Sequence, residues 1–149
     1  MSATEAQRFI LFFIIVGNLK RIDRAGWVRY GITDVESVAD HMYRMAVMAM
    51  VAGDTSLDVG KCVQLAIVHD LAESIVGDIT PHDNVSVVDK HNLERRAMLL
   101  LCNLVGSRYL MELYIEYEQG DSREARFVKD LDRFEMALQA FQYETGEGD

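Results

Sequence analysis

Apolar residues recur at three- and four-residue spacing along nearly all of this 149-residue chain, and this periodicity most constrains its fold. No run alternates between apolar and polar residues for long enough to predict a strand. The single proline, Pro81, follows one of the periodic segments and interrupts none of them. The sequence therefore predicts an all-α fold, and its length predicts one domain spanning residues 1–149.

Breaks in the periodicity predict six main helices. Their expected ranges are 5–22, 34–53, 56 or 58 to Gly77, 86–104, 107–117 and 122–143. The segment DRAGWVRYGITD contains two glycines and is expected to be a loop, and the tail ETGEGD is expected to fray. The apolar run FILFFIIVG predicts a first helix buried on more than one side, by the domain core or by a partner subunit.

The amino-acid composition limits the kinds of molecule that this chain is expected to bind. The chain has 15 basic and 24 acidic residues and a net charge of −9, which disfavours a nucleic-acid polymer because such binding needs clustered Lys and Arg. The apolar run near the start is far shorter than the ~20 residues of a membrane span, and no signal-peptide pattern follows it. Cys62 and Cys102 lack zinc or disulfide spacing and are predicted to be buried thiols. We expect a cytoplasmic protein, with the nucleus as the alternative, that does not bind membranes.

The stretch LAIVHDLAESIVGD places ionisable groups on an otherwise apolar helix. Burying charge without a partner costs several kcal/mol, and a bound metal ion is one way to compensate that cost. On a continuous helix, Glu73 lies one turn after His69 and Asp70 and shares their face. Asp78 follows in the turn after the helix. The stretch therefore predicts a cluster of groups that can bind metal or transfer protons.

Two further candidates lie on other predicted helices. His41 stands in ESVADHMYRM, and Asp132 stands in FVKDLDRFEM near the alternative Asp130. The apolar stripe of the last helix points nearer to Asp130; its members are Phe127, Leu131, Phe134, Leu138 and Phe141. The order His, His-Asp and distant Asp on three helices resembles the HD-domain superfamily. That resemblance favours Asp132 over Asp130.

The blocks RAGWV, ESVADHMYRMAVMAM, LAIVHDLAESIVGDITP and FVKDLDRFEM are similar to the 5′-deoxynucleotidase family of HD domains, including its HD-domain-containing protein 2 branch. The resemblance implies a helical bundle with a metal site between core helices and removal of phosphate from deoxyribonucleoside 5′-monophosphates. It also implies one divalent ion per chain, such as Mn, Co or Mg, and a homodimer. Similar proteins usually extend beyond the last block, so C-terminal helices of the family are expected to be missing from this chain.

Residue roles follow from the same resemblance. The implied metal ligands are His41, His69, Asp70 and Asp132; the implied catalytic carboxylates are Glu73 and Asp78; the implied substrate-binding residues are Arg24 and Trp27. Imidazole and carboxylate ligands also suit Zn and Fe. An ion held by these ligands would activate water, Glu73 would orient or deprotonate that water, and Asp78 would protonate the leaving oxygen.

Three alternatives remain open from the sequence. The ligand set also fits a phosphodiesterase or a deoxynucleoside triphosphate hydrolase, and a non-catalytic scaffold stabilised by metal is the third reading. His82 and His91 are candidates for a second metal site. Arg44 and Glu135 are expected to be solvated or salt-bridged positions. Glu36 is expected to cap the second helix, with lining of the pocket as the alternative.

Overall fold

The computed structural model describes residues 2–52 and 56–146. These ranges contain eight α-helices and a 3₁₀ helix, and no named strand, so the predicted all-α class is confirmed. The helices are α1 (Ala3–Val16), the 3₁₀ helix (Gly17–Arg21), α2 (Ala25–Arg29), α3 (Val38–Val51), α4 (Val59–Val68), α5 (Glu73–Val76), α6 (Val87–Val105), α7 (Arg108–Gln119) and α8 (Arg123–Thr145).

The chain divides into two compact units. The first combines the residues up to Asp40 with Asp70–Glu112. In it, α1 and α5 both pack against α6, and α5 also packs against the 3₁₀ helix. Asn18 donates a hydrogen bond of 3.1 Å from its side chain to the carbonyl of Ser74. The apolar core of this unit includes Leu19, Leu71, Ala72, Ala97, Met98 and Leu101.

The second unit combines His41–His69 with the residues from Leu113 onward. Its main helix pair is α4 packed against α8. The buried apolar residues of this unit include Met45, Leu65, Ala66, Tyr114, Val128 and Leu131. Each of these positions lies on the inward stripe of its helix, as the helical spacing requires.

Side-chain caps define where several helices begin. Ser2 forms a reciprocal capping box with Glu5 at α1, and Asp58, Ser86 and Ser122 each accept a backbone N–H at the starts of α4, α6 and α8. Each cap satisfies a donor that the first helical turn leaves without an intrahelical partner. These helices therefore begin within a few residues of their predicted starts.

The predicted third helix is interrupted. A turn over residues 69–72 separates α4 from α5, and its backbone bonds join residues three apart, as in Glu73 N–H to the carbonyl of Asp70 at 3.0 Å. The tighter bonding changes the spacing of the side chains that follow, so the expectation of one continuous helix is wrong.

Three other boundaries differ from expectation. The segment expected to be a loop contains the short helix α2. Ser37, rather than the predicted Glu36, caps α3, because its hydroxyl accepts a hydrogen bond from the backbone N–H of Asp40. The tail is helical to Thr145, where Gly146 ends α8 with a φ of 68°. The predicted end of the second helix at Gly53 and the last three residues of the tail lie outside the described residues.

The first helix is not buried on two sides. None of its residues is buried, and its large apolar side chains are open to solvent, with Phe13 64% and Ile14 63% exposed. The part of the expectation that assigns burial to the domain core is therefore wrong, because only one face of α1 packs against neighbouring helices. Among the described residues, no helix combines the length and apolarity that crossing a membrane requires.

Candidate metal centre

His41 lies on α3 and is completely buried. Its Nδ1 is 2.5 Å from Oε2 of Glu135 on α8. A carboxylate only accepts hydrogen bonds, so Nδ1 is the nitrogen that carries the proton. In the neutral ring, Nε2 therefore presents a lone pair.

His69 is the C-cap residue of α4, and its ring carries the proton on the same nitrogen as that of His41. Its Nδ1 is 2.8 Å from the carbonyl oxygen of Ala66, which also only accepts, so Nδ1 is again the donor. The rings of His41 and His69 lie 5.4 Å apart between centroids, and ligand nitrogens of the two residues lie within 4.8 Å of each other. Histidines that bind metal through Nε2 commonly donate Nδ1–H to a carbonyl or carboxylate in this way.

Asp132 of α8 lies beside His41 in the second unit. Its Oδ1 lies 3.2 Å from Nε2 of His41, and its Oδ2 accepts a hydrogen bond of 3.2 Å from the Tyr117 hydroxyl. A lone pair on Nε2 and a carboxylate oxygen repel each other at this distance unless a proton or another cation lies between them. Two imidazoles and a carboxylate are the donor types that divalent transition metals prefer, so the group fits a divalent metal ion.

The last helix buries a different stripe from the predicted one. Its buried residues are Ala125, Val128, Leu131, Glu135 and Gln139, whereas Phe134 and Phe141 are more than half exposed. Asp130 is exposed and pairs with Arg133 at 2.9 Å. Of the predicted apolar stripe of α8 only Leu131 is buried, so the prediction is wrong for Phe134 and Phe141, and it is Asp132 that lies beside His41.

Glu135 is the residue of this cluster that sequence reasoning missed. It is completely buried and forms a salt bridge with Arg44, so the salt-bridged alternative for this position is confirmed and the solvated one is wrong. Burial raises the pKa of Glu135, but its hydrogen bonds with His41 and Arg44 and the charge of Arg44 outweigh it, so this pKa lies below its ordinary value. The available signal was its position three residues after Asp132 and four after the buried Leu131.

Asp70 and Arg24 meet in the first unit. Asp70 follows His69 directly in the chain, and its Oδ2 lies 3.4 Å from Nη1 of Arg24. Arg24 precedes α2, and its backbone N–H donates to the carbonyl of Glu36 at 3.1 Å. The guanidinium and the carboxylate are both largely shielded from water, with 16% and 18% of their side chains exposed.

Glu73 is the most strongly perturbed acid of the first unit. Burial, followed by the neighbouring charges of Asp70 and Asp78, raises the pKa of Glu73 to about 10, against the opposing effect of Arg24 and Lys90. Its Oε2 is buried and has no hydrogen-bond partner among the described residues. A carboxyl in this environment has a high proton affinity, as expected of a group that takes up or releases protons in a reaction.

Asp78 and Trp27 are both tied to the segment around α2. Asp78 accepts a hydrogen bond of 2.8 Å from the backbone N–H of Ala25, at the start of that helix. The indole N–H of Trp27 donates to Oε1 of Glu36 at 3.0 Å. The first unit thus holds Arg24, Trp27 and Asp78 through contacts to one short helix and its flanks.

His82 and His91 stay apart from these groups. Both are exposed, and in the ranges that the structure describes neither belongs to a cluster of three or more metal-competent side chains. The structure therefore gives no support to a second metal site at these residues.

Comparison with known proteins places this arrangement in a family. The family model described as "HD domain" matches residues 16–149, which is most of the chain. This chain belongs to the HD domain family. The resemblance seen in the sequence is thereby confirmed.

Relatives of this HD domain carry a consistent description. The chain is 45% identical to 5′-deoxynucleotidase hdd1 of Schizosaccharomyces pombe, over 97% of this chain and 76% of that protein. It is 51% identical to 5′-deoxynucleotidase HDDC2 of Homo sapiens, over 93% of this chain and 70% of that protein. The crystal structure of PH0347 protein from Pyrococcus horikoshii OT3 matches with a TM-score of 0.79 and 37% identity, covering 94% of this chain and 81% of that one.

Proposed function

We propose that this HD domain is a metal-dependent 5′-deoxynucleotidase that removes phosphate from deoxyribonucleoside 5′-monophosphates. The observation that carries the proposal is the pairing of His41 Nε2 with Asp132 Oδ1, because it creates a place for a cation in a domain whose relatives are named 5′-deoxynucleotidases. In this proposal, residues 1–149 act as one HD domain, of which the family model matches residues 16–149.

The proposed ligands of one divalent ion are His41, His69, Asp70 and Asp132. Asp70 directly follows His69 in the chain, and the contacts of His41 with His69 and with Asp132 in the second unit support the proposal. Mn, Co and Mg are the proposed ions, with Zn and Fe compatible with the donor types. When bound, a divalent ion supplies a Lewis acid that lowers the pKa of water and offsets charge on a phosphoryl oxygen.

Glu73 is proposed to take the proton from the attacking water. Its burial and its acidic neighbours give its carboxylate a high affinity for that proton. After burial, Asp70 is the next cause that raises the pKa of Glu73, so a cation that offsets the charge of Asp70 would lower that pKa.

Asp78 is proposed to give a proton to the leaving 5′-oxygen, while its bond to Ala25 N holds the start of α2. Arg24 is proposed to bind the phosphate through its guanidinium, whose planar donors suit phosphate oxygens. Trp27 is proposed to line the substrate site, with its indole held by Glu36.

Other basic side chains that could bind phosphate already pair with acidic groups or carbonyls, which favours a monophosphate substrate over a triphosphate. Arg29 pairs with Asp83 at 3.7 Å in the first unit. In the second, Arg44 pairs with Glu135, and Lys129 donates to the carbonyl of Glu118 at 3.3 Å. Since a polyphosphate needs several cations near its charges, this observation disfavours the deoxynucleoside triphosphate hydrolase alternative.

The purely structural metal site is the less favoured reading. A site that only stabilises the fold gains nothing from the acid Glu73, whose burial without a hydrogen bond to Oε2 costs free energy. Such a cost is typical of functional groups.

A homodimer is the proposed assembly. Its support is the set of exposed apolar side chains of α1, namely Phe9, Ile10, Leu11, Phe13 and Ile14, which a second copy of this chain would cover. The proposed location is the cytoplasm, with the nucleus as the alternative, and the proposed partner is a small nucleotide rather than a nucleic-acid polymer or a membrane.

The deciding experiment measures phosphate release from dAMP and dCMP after metal removal and addition of Co²⁺ or Mn²⁺. We expect metal-dependent turnover by the wild type, and little turnover by His69→Ala. Mono-, di- and triphosphates of one deoxynucleoside are then compared, with the monophosphate expected to be preferred. Equal turnover by His69→Ala, or a preference for the triphosphate, would contradict the proposal.

A further inference from the structure

Glu135 uses both of its carboxylate oxygens on residues of α3. Its Oε2 accepts from Nδ1 of His41 at 2.5 Å. Its Oε1 accepts from Nε of Arg44 at 2.7 Å and also from Nη2 of the same guanidinium. Glu135 and His41 are both completely buried, so the contact between these two residues forms without competition from water.

Arg44 is itself held by α8. Its Nη1 donates to Oε1 of Gln142 at 2.6 Å, and its Nη2 donates to Oε1 of Gln139 at 2.5 Å. Glu135, Gln139 and Gln142 lie on one face of α8 at helical spacing. The guanidinium is therefore fixed at several points, and it fixes the carboxylate that contacts His41.

This arrangement has a specific effect on the imidazole. A carboxylate opposite Nδ1 keeps the proton on that nitrogen and leaves the lone pair on Nε2, the atom that faces Asp132. It also restricts rotation of the ring about its side-chain bonds. The contact does both because Glu135 cannot turn away without losing its bonds to Arg44.

We infer that Glu135, held by Arg44, is a positioning residue that sets the tautomer and orientation of His41 for binding a divalent cation. This inference rests on the proposed function, since it assigns His41 as a ligand. It extends that function to two residues outside the ligand set. Partners of this kind typically change metal affinity by about 10- to 100-fold.

A structural role alone would have a different signature. If Glu135 served only to satisfy Arg44 and to join α3 to α8, its replacement would lower the stability of the metal-free protein and leave cation affinity unchanged. The test therefore separates stability from affinity and includes a direct readout of the imidazole.

The experiment compares wild type, Glu135→Gln and the control Asp130→Asn. Asp130 is on the same helix but exposed, and it contacts Arg133. Mn²⁺ affinity is measured by calorimetry on the metal-free proteins, the free energy of unfolding by denaturant titration, and the tautomer of His41 by ¹⁵N NMR. Glu135→Asp, which keeps the charge but shortens the side chain, replaces Glu135→Gln if the latter does not unfold cooperatively.

We expect Glu135→Gln to bind Mn²⁺ about 10- to 100-fold more weakly and to shift His41 away from the Nδ1–H tautomer, with Asp130→Asn unchanged. Wild-type Mn²⁺ affinity together with an unaltered tautomer in the Glu135 variant would overturn the inference and leave the proposed function intact. Absence of Mn²⁺ binding by the wild type would instead overturn the proposed ligand set, and the inference with it.

Discussion

Nε2 of His41 and Oδ1 of Asp132 lie 3.2 Å apart, although the hydrogen bond at Nδ1 of His41 leaves no proton on the neutral ring to join them. Two groups that both accept hydrogen bonds stay this close only when a positive charge offsets their repulsion. This relationship connects the fold to its chemistry, and the predictions below test it and the groups around it.

Asp132→Asn should remove most of the cation affinity and the turnover that depends on it. The amide keeps the shape of Asp132 but has no charge, and we expect at least about 100-fold weaker Mn²⁺ binding. Asp130→Asn on the same helix is the matched control and should bind as the wild type does. Calorimetric titration of the two metal-free variants makes the comparison, and equal affinities would rule out Asp132 as a ligand.

Metal removal should lower thermal stability. A cation at about 100 times its dissociation constant stabilises the folded state by about 2.7 kcal/mol, which raises Tm by roughly 5–11 °C for a chain of this size. Scanning calorimetry with Mn²⁺ and after chelation measures the difference. His69→Ala should show no such increase on adding Mn²⁺, and a full increase in that variant would place the cation elsewhere.

Replacement of Asp78 separates its two proposed roles. Asp78→Asn keeps an oxygen that accepts from Ala25 N but has no acidic proton, so kcat should fall about 100-fold or more with little change in stability. Asp78→Ala also loses the bond to Ala25, at an additional cost of about 1 kcal/mol. Steady-state kinetics and urea unfolding give the two quantities. Wild-type kcat in Asp78→Asn would exclude the acid role.

Glu124 should stabilise the fold only at pH values at which its carboxyl group is ionised. Its Oε1 accepts from Asp58 N at 3.1 Å, and this bond, with the charges of Lys61 and Arg123, lowers the pKa of Glu124. A folded-state pKa below the unfolded value stabilises the fold above the unfolded pKa, and the effect is lost as pH falls through the folded pKa. The unfolding free energies of wild type and Glu124→Gln are compared from neutral to acidic pH. Their difference should shrink as the pH falls. A difference that stays constant would contradict this assignment.

Phe13→Glu should convert the proposed dimer to a monomer. The side chain is 64% exposed within one chain, so the charge should not disturb the fold but should disrupt an apolar contact between copies. Sedimentation velocity measures the mass. Val51→Glu, at an exposed apolar position in the other unit, is the control and should remain dimeric. A monomeric wild type would refute the dimer.

Local sequence signals predicted most of the helices. Ser86 and Ser122 act as N-caps close to the expected starts, because capping is a short-range interaction that a few residues encode. The break between α4 and α5 was not predictable in the same way. Residues 69–72 carry no glycine or proline, so nothing local marks the change to tighter bonding.

The proximity of Asp132 to His41 was predictable from motif order but not from periodicity. Phe134 and Phe141 suggested the wrong face of α8 because an apolar side chain can also lie on an exposed surface. Glu135 was missed for the converse reason, since a charged residue is buried only where a specific partner compensates it. That partner, Arg44, lies 91 positions away in the sequence, so helical spacing within α8 could not reveal it.

The two imidazoles depend on the rest of the chain to different degrees. His69 donates to a carbonyl three residues earlier in its own helix, whereas His41 depends on a carboxylate 94 positions later. During synthesis, one imidazole therefore acquires its hydrogen-bond partner as soon as α4 has formed. The other must wait until the ribosome has delivered α8, so Nδ1 of His41 has no access to this carboxylate until that helix is made.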